Sequence, residues 1–376
     1  MQKVAPTNIS VTEAISVCLA NNLTFAAYQF PHSNGPVLVV QKTAGVETID
    51  NLSELKQLKG FLVAPFQKTA LNSMFLIQPD HVYYKNLNQE EYGQLKELKV
   101  PYVNGSVCKE PEELSKSLYL DKISAIIYAI KENKFDKVVL SRVKLYEGKY
   151  MDKISDLFSK LCTSYPNAFI YTFRAGPHFW IGATPEPLAY VENGSFTTAS
   201  VAGTRPFKPE FQDINIWNNK EREEQNYVTW YIRSILKDYQ LNNYNQSGPY
   251  TKRAGNLLHL RTDFSFDTYR LKSKVGNLIE SLHPTPAVCG MPKEVTMKLI
   301  TDIESHDREY YSGFLGPVGI EKSISLFVNL RCMKVFKEMV ALYVGGGITI
   351  DSLPEDEWHE TEIKADTLLS VIRNLE

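Results

Sequence analysis

Cysteine is scarce in this chain of 376 residues: Cys18, Cys108, Cys162, Cys289 and Cys332 are odd in number, scattered, and never spaced C-x-x-C. A disulfide framework and a structural zinc site are both unexpected, and buried packing is the ordinary role of such residues. Charge of one sign is also lacking. Forty-one basic residues face 43 acidic ones, a formal net charge of −2, which gives no broad electropositive field for a polyanion, so nucleic acid is not an expected partner. No apolar run approaches the roughly 20 residues that cross a bilayer, and the opening MQKVAPTNIS has no apolar signal core. No membrane association is expected, and the expected location is the cytoplasm. Low-complexity segments and repeats of solenoid type are missing too.

What is present is a globular composition, 43% hydrophobic and 22% charged, enough to bury a large core. Ser10 and Glu13 form a capping-box pattern ahead of a helix through about residue 21. Strand-like runs follow at 23–30, 37–42, 61–65 and 75–84. Ile123, Ile126, Ile127 and Ile130 repeat at helical spacing within 111–133. A strand at 137–146 and a helix at 151–162 lead into a β-rich block, 168–202, whose tight turns leave no room for helical crossovers and so imply antiparallel sheet. Beyond it come a long helix over 218–239, a strand near 257–263, two short helices, paired strands at 324–336 and 339–344, and a helix from Pro354. The expectation is a single α+β domain over the whole chain, with sheets covered by helices.

Two helices carry acids where apolar side chains are expected. On the last one, Thr361, Ala365, Leu368 and Ile372 form a stripe that Glu357, Glu360 and Lys364 border, while Glu362 and Asp366 fall on the flank where solvent is expected. On the helix over 218–239, Glu221 and Glu224 extend the stripe of Val228, Ile232, Ile235 and Tyr239. Acids beside an apolar face are costly unless a cation compensates them, and hard oxygen donors on two elements suit Mg2+. Periodicity alone is equally compatible with ordinary i,i+3 and i,i+4 surface pairs such as Glu360 with Lys364.

The segments IGATPEPLAY, SVAGTRPF, LHPTPAVCG, YYSGFLGPVG, NLRCM, YVGGGI and EWHETEIKA occur in one order, and in that order they resemble the chorismate-binding enzyme family, which includes isochorismate, salicylate, anthranilate and aminodeoxychorismate synthases. The resemblance covers about residue 110 to the C-terminus and only loosely residues 1–109. It implies two large antiparallel sheets packed face to face with helices outside, as in anthranilate synthase component I. It also implies Mg2+-dependent binding of chorismate. Glu224 and Glu360 resemble direct or near-direct metal ligands, Glu357 a further ligand through water, and Glu221 one that could serve likewise. For the dianionic substrate, Arg331 resembles the arginine that grips the enolpyruvyl carboxylate, where a planar guanidinium fork suits a bidentate pair. Tyr311 resembles its hydroxyl partner. Gly345, Gly346 and Gly347 let backbone N–H groups approach that carboxylate, and Lys364 would hold the ring carboxylate. No Gly-Lys-Ser/Thr follows these glycines, so they are not a phosphate-cradling loop of the familiar type.

The same resemblance narrows the reaction. Lys137, in KVVLSR, stands where water-adding members carry lysine and ammonia-using members typically glutamine. It shares its strand face with Val139, Val143 and Leu145, a setting that helps an amine act as a base. Glu186, in GATPE, resembles the general acid, and its carboxyl is expected to be raised by burial and by neighbouring negative charge. Ala202 replaces the nucleophilic lysine of one type of aminodeoxychorismate synthase, and Gly203, Thr204 and His259 are expected to line the ring. Ala287, where salicylate synthases often have threonine, favours stopping before pyruvate is lost. The expected reaction is isomerisation of chorismate to isochorismate by water attack at C2 with departure of the C4 hydroxyl. Salicylate formation and non-catalytic binding are the alternatives. No glutaminase subunit is expected, and a monomer or weak homodimer is. Two residues depart from the family pattern: Gln225 replaces a histidine and Glu309 a glycine.

Overall fold

The computed structural model describes residues 8–100, 109–208, 214–254 and 257–375; Cys108 lies outside them. The local signals in the sequence are used as expected. Ser10 and Glu13 close a reciprocal capping box on helix Val11–Ala20, and Asn218 with Glu221 does the same for helix Asn219–Asp238. Helix Pro354–Arg373 opens with proline followed by Glu355, Asp356 and Glu357. Each device satisfies N–H groups that have no partner within the helix, or places negative charge at the positive end of its dipole.

Among the described residues the strands assemble into two nine-stranded sheets and one two-stranded ribbon, and all their pairings are antiparallel. At the centre of the first sheet, Lys137–Glu147 pairs with Met339–Ile348 and the latter with Cys332–Val335, which continues to His178–Thr184. The second is built around Ser195–Pro206, Pro187–Glu192 and Ile324–Val328. Strand Asn245–Ala254, which the sequence analysis did not anticipate, lies at its edge against Leu257–Asp267.

The sheets meet face to face over an aromatic core. Tyr28, Phe169, Phe173 and Trp180 of the first pack with Phe61, Phe75 and Phe327 of the second, and the rings of Phe169 and Phe327 stack across the interface with centroids 4.0 Å apart. Helices cover the outer faces. Val11–Ala20, Ile154–Ser164 and Pro354–Arg373 share a core with the first sheet, while Asn219–Asp238 and Val275–Leu282 share one with the second.

Two runs expected to be single strands are divided between the sheets. In 75–84, Phe75–Ile77 belongs to the second sheet and His81–Tyr84 to the first. In 324–336, Ile324–Val328 lies in the second and Cys332–Val335 in the first. Continuous β-branched and aromatic composition marks both halves as strand but does not register a change of sheet between them. The corresponding crossing from the first sheet to the second occurs between Thr184 and Pro187. These two crossings are hydrogen-bonded together, since Val328 N–H donates to Glu186 O (2.9 Å), Ala183 N–H to Arg331 O (3.0 Å) and Thr184 Oγ1 to Val328 O (2.6 Å).

If the Phe169–Phe327 contact is central to the joining of the sheets, Phe327→Ala will cost about 3–5 kcal/mol in a denaturant titration, seen as a lower midpoint with an unchanged slope.

Candidate active site

The crossings and the outer helices border one cavity. Glu186 enters from one crossing and Arg331 from the other, Gly203, Thr204 and His259 from the second sheet, Gly345 and Gly347 from the first, and Tyr311 and Ala287 from loops. Glu224 and the Glu360–Lys364 pair are supplied by the two long helices. Most of the candidate residues thus meet at one place. Lys137, Glu357 and Gly346 stand directly behind this lining: Lys137 Nζ bonds Glu224 Oε1 (3.0 Å), and Glu357 lies against Gly346. Glu221 is not brought in. Both its oxygens take the guanidinium fork of Arg205, at 2.6 and 2.7 Å, and one also caps the helix at Asn218 N–H.

The three glycines are required for room rather than for an unusual φ. A Cβ on Gly345 would lie 3.0 Å from the Tyr311 hydroxyl and 2.9 Å from Leu140 O, one on Gly346 3.0 Å from Glu357 Oε2, and one on Gly347 2.7 Å from Glu224 Oε1 and 2.8 Å from Lys137 Cε. Each glycine leaves space for a functional group. Gly203 differs, because at φ +71° it adopts the left-handed region that glycine enters without penalty. Arg331 adopts φ +48° without that freedom, a cost of the kind that concentrates at functional sites.

Charge is arranged in pairs. Lys137 is fully buried and salt-bridged to Glu224, Lys364 holds Glu360 (2.6 Å) and Gly345 O (2.7 Å), and Lys220 holds Glu357 (2.7 Å), which also accepts from Ser352 Oγ (2.6 Å). Burial opposes the charged form of Glu224, but Lys137, Lys364 and Lys220 outweigh it and hold the carboxyl below its ordinary range. Burial and the neighbouring Glu360 raise Glu357. Lys220 was missed in the sequence analysis; the available signal was its i,i+4 relation to Glu224 at the start of the helix.

Glu186 is pushed up to about 7. Burial is the cause; the neighbouring charges, Arg331, Lys137, Arg261 and Lys364, are all cations and act the other way, so the expectation of negative neighbours is corrected. His259 accepts no proton near neutrality: burial, with Arg331 and Lys364, lowers it to about 3. Its Nδ1–H donates to Gly203 O (2.7 Å), which leaves Nε2 as an acceptor, buried and without a partner among the described residues. Burial likewise drives the Tyr311 phenol up to about 12, so it stays a neutral donor. Glu362, expected toward solvent, is half-buried and bonded to Arg142 and Lys144, because the strand bearing Lys137 also projects these two cations at the last helix.

Residues 67–373 match the chorismate-binding enzyme family. The chain belongs to this family. It is 30% identical over 244 residues to the isochorismate synthase EntC of Escherichia coli (strain K12), a match covering 63% of this chain and 62% of that one. It is 28% identical over 278 residues to the vibriobactin-specific isochorismate synthase of Vibrio cholerae, covering 72% and 70%. The match thus spans less than two thirds of the E. coli enzyme. In structure the chain resembles MenF, the menaquinone-specific isochorismate synthase from Escherichia coli, with a TM-score of 0.76, 21% identity and coverage of 95% and 91%; this likeness concerns the fold. The face-to-face antiparallel sheets implied by the sequence motifs are thereby borne out.

Among the described residues, no three of His, Cys, Asp or Glu already stand close enough together to hold a metal ion. The donor set nevertheless fits Mg2+ in its chemistry, since Glu224, Glu357 and Glu360 offer hard carboxylate oxygens, Glu224 beside Gly347, Glu357 beside Gly346, and Glu360 on the wall of the same cavity.

The steric argument has a direct consequence. Gly347→Ala will displace Glu224 and Lys137 and, for the activity proposed below, reduce turnover about 100-fold, the scale of a 1 Å misplacement, while the melting temperature remains near that of the parent; steady-state kinetics and a thermal melt check both.

Proposed function

We propose that this protein is an isochorismate synthase, adding water at C2 of chorismate while the C4 hydroxyl leaves. The observation that carries this reading is one cavity lined by a carboxyl held near neutrality, Glu186, with a buried amine, Lys137, directly behind its wall on Glu224. Lys137, in its neutral form, takes a proton from the attacking water. As the ring double bonds shift, Glu186 gives its proton to the departing O4, so that water is gained and lost and the product is an isomer of the substrate. Arg331 and Tyr311 suit the enolpyruvyl carboxylate as a charged fork and a neutral donor, and Lys364 suits the ring carboxylate. His259 Nε2 can accept a hydrogen bond from a ring hydroxyl.

Mg2+, held by Glu224 and Glu360 with Glu357 behind them, would supply charge to neutralise a substrate carboxylate. The relatives named isochorismate synthases, together with Lys137 and Ala287, support water addition without loss of pyruvate. The balanced charge and, among the described residues, the lack of any helix long and apolar enough to cross a membrane support a cytoplasmic enzyme. We infer no glutaminase subunit, and a monomer or weak homodimer.

Incubation with chorismate and Mg2+, followed by chromatography, should yield isochorismate. Lys137→Ala should lose about 10²- to 10⁴-fold of the rate, the range of a general base. Accumulation of fluorescent salicylate with pyruvate would select salicylate synthesis, and Mg2+-dependent binding without turnover would select a binding protein. The acid must carry its proton and the base must lack one in the free enzyme, so kcat/KM should bend at about pH 7, the value of Glu186, with unit slope on one side. A profile that does not bend near pH 7 would remove Glu186 from the acid role.

A further inference from the structure

Three carboxylates face the glycine strand, and each is held by a lysine. Two of the lysines have work in the proposed chemistry: Lys137 as base, Lys364 on the ring carboxylate. Lys220 has none. It projects from the first turn of helix Asn219–Asp238, one turn before Glu224, and its amine reaches across to Glu357 on the other long helix, 2.7 Å away. Glu357 is 2% exposed, whereas Lys220 is 29% exposed. The carboxylate is therefore fixed inside, and the ammonium sits on a flexible stem with a route to solvent. Lys220 also lies within electrostatic reach of Glu224 and Glu360 as well as Glu357.

We propose that Lys220 is an internal counter-ion of the metal site: its ammonium pairs with Glu357 and so completes the neutralisation that Lys137 and Lys364 begin at Glu224 and Glu360, and a divalent cation binds by displacing it toward solvent. This rests on the reading that these carboxylates hold Mg2+. The physical reason for such a residue is that three carboxylates converging on a buried wall repel one another and lose hydration, a cost of several kcal/mol per uncompensated buried ion. A tethered ammonium removes that cost in the metal-free protein. It also lowers the apparent metal affinity, because binding becomes an exchange of one cation for another. Lysine suits the task better than arginine, since a compact, strongly hydrated charge without a planar fork is more readily released to water.

The test uses the full chain and Mn2+ as the probe, with free Mn2+ followed by electron paramagnetic resonance. Lys220→Met should bind Mn2+ about tenfold more tightly than the parent, the factor expected from removing one partly buried ionic competitor of ordinary strength. Lys220→Arg, which keeps the charge but releases it less readily, should bind Mn2+ no more tightly than the parent. Because Lys220→Met could fold poorly, the parent protein provides a second measurement. Brief acetylation with an amine-reactive ester, read by mass spectrometry, should label Lys220 several-fold faster when Mg2+ is saturating, while the surface residue Lys337 is labelled at a constant rate. Equal Mn2+ affinity in Lys220→Met and the parent, or Lys220 labelling that Mg2+ leaves unchanged or slows, overturns the displacement and leaves the metal site standing. No Mn2+ binding by parent or variant overturns both.

Discussion

The constraint on which this site depends is that buried charges must be paired beside a stretch of strand, Gly345–Gly347, that has no side chains of its own. Glu224, Glu357 and Glu360 approach Gly345–Gly347 from two helices, and Lys137, Lys220 and Lys364 meet them there. For Lys137–Glu224 and Lys220–Glu357, each with one fully enclosed partner, removing the other partner leaves a buried charge unpaired, a cost of about 3–5 kcal/mol, and these two pairs fix the depth of the helices; Lys364 and Glu360 pair within one helix. The first sheet must allow this approach. Strand Met339–Ile348 does so by omitting three consecutive Cβ atoms, one opposite Tyr311 and two opposite the charged groups.

A second constraint acts at the crossings between the sheets. A chain passing from one sheet to another leaves the regular ladder and must satisfy its backbone groups elsewhere. Here each crossing satisfies the other, through Val328 with Glu186 and Ala183 with Arg331. The chemistry is placed on this shared junction. Glu186 gains its burial from it, and Arg331 is held at a left-handed φ that an isolated turn would give up. Asn329 supports the same corner, accepting from the Tyr171 hydroxyl and donating to Tyr310 O, which joins the arginine turn to the segment bearing Tyr311.

Much of this was legible in the residues. The capping boxes, the helical stripes and the antiparallel block correspond to local physics, and periodicity placed acids beside the apolar stripes of the two long helices but left surface pairing equally open, so that the motifs decided between them. Three features were not. The sheet changes within 75–84 and 324–336 depend on long-range pairing that composition does not encode. The direction of the charges around Glu186 depends on four cations, Arg331, Lys137, Arg261 and Lys364, brought from well-separated parts of the sequence. Glu221, on the same helical face as Glu224, was drawn away by Arg205, whose guanidinium offers a geometrically better partner than an open wall. A helical face states where a side chain points, but the neighbours decide what it meets.

The two departures from the family pattern show how the geometry is kept when the residue type changes. Gln225, beside Glu224, is buried with its side-chain amide within 3.0 Å of the hydroxyls of Ser200, Thr229 and Thr262, so the helix is fixed to both neighbouring strands without an imidazole. Glu309 stands where glycine is usual, and the structure gives the reason: its φ is +48°, a region that glycine occupies freely and a longer residue only at a cost. Glu309 offsets that cost through its carboxylate, which takes Lys334 at 2.6 and 2.7 Å. Lys334 is itself 1% exposed and would be a buried unpaired charge without it. The strained turn is thus tied by an ion pair to the strand that follows Arg331, and Tyr311, two residues after Glu309, inherits its place from that tie. A glycine would relax the backbone here but leave Lys334 unpaired, so strain and pairing at this position are accepted together.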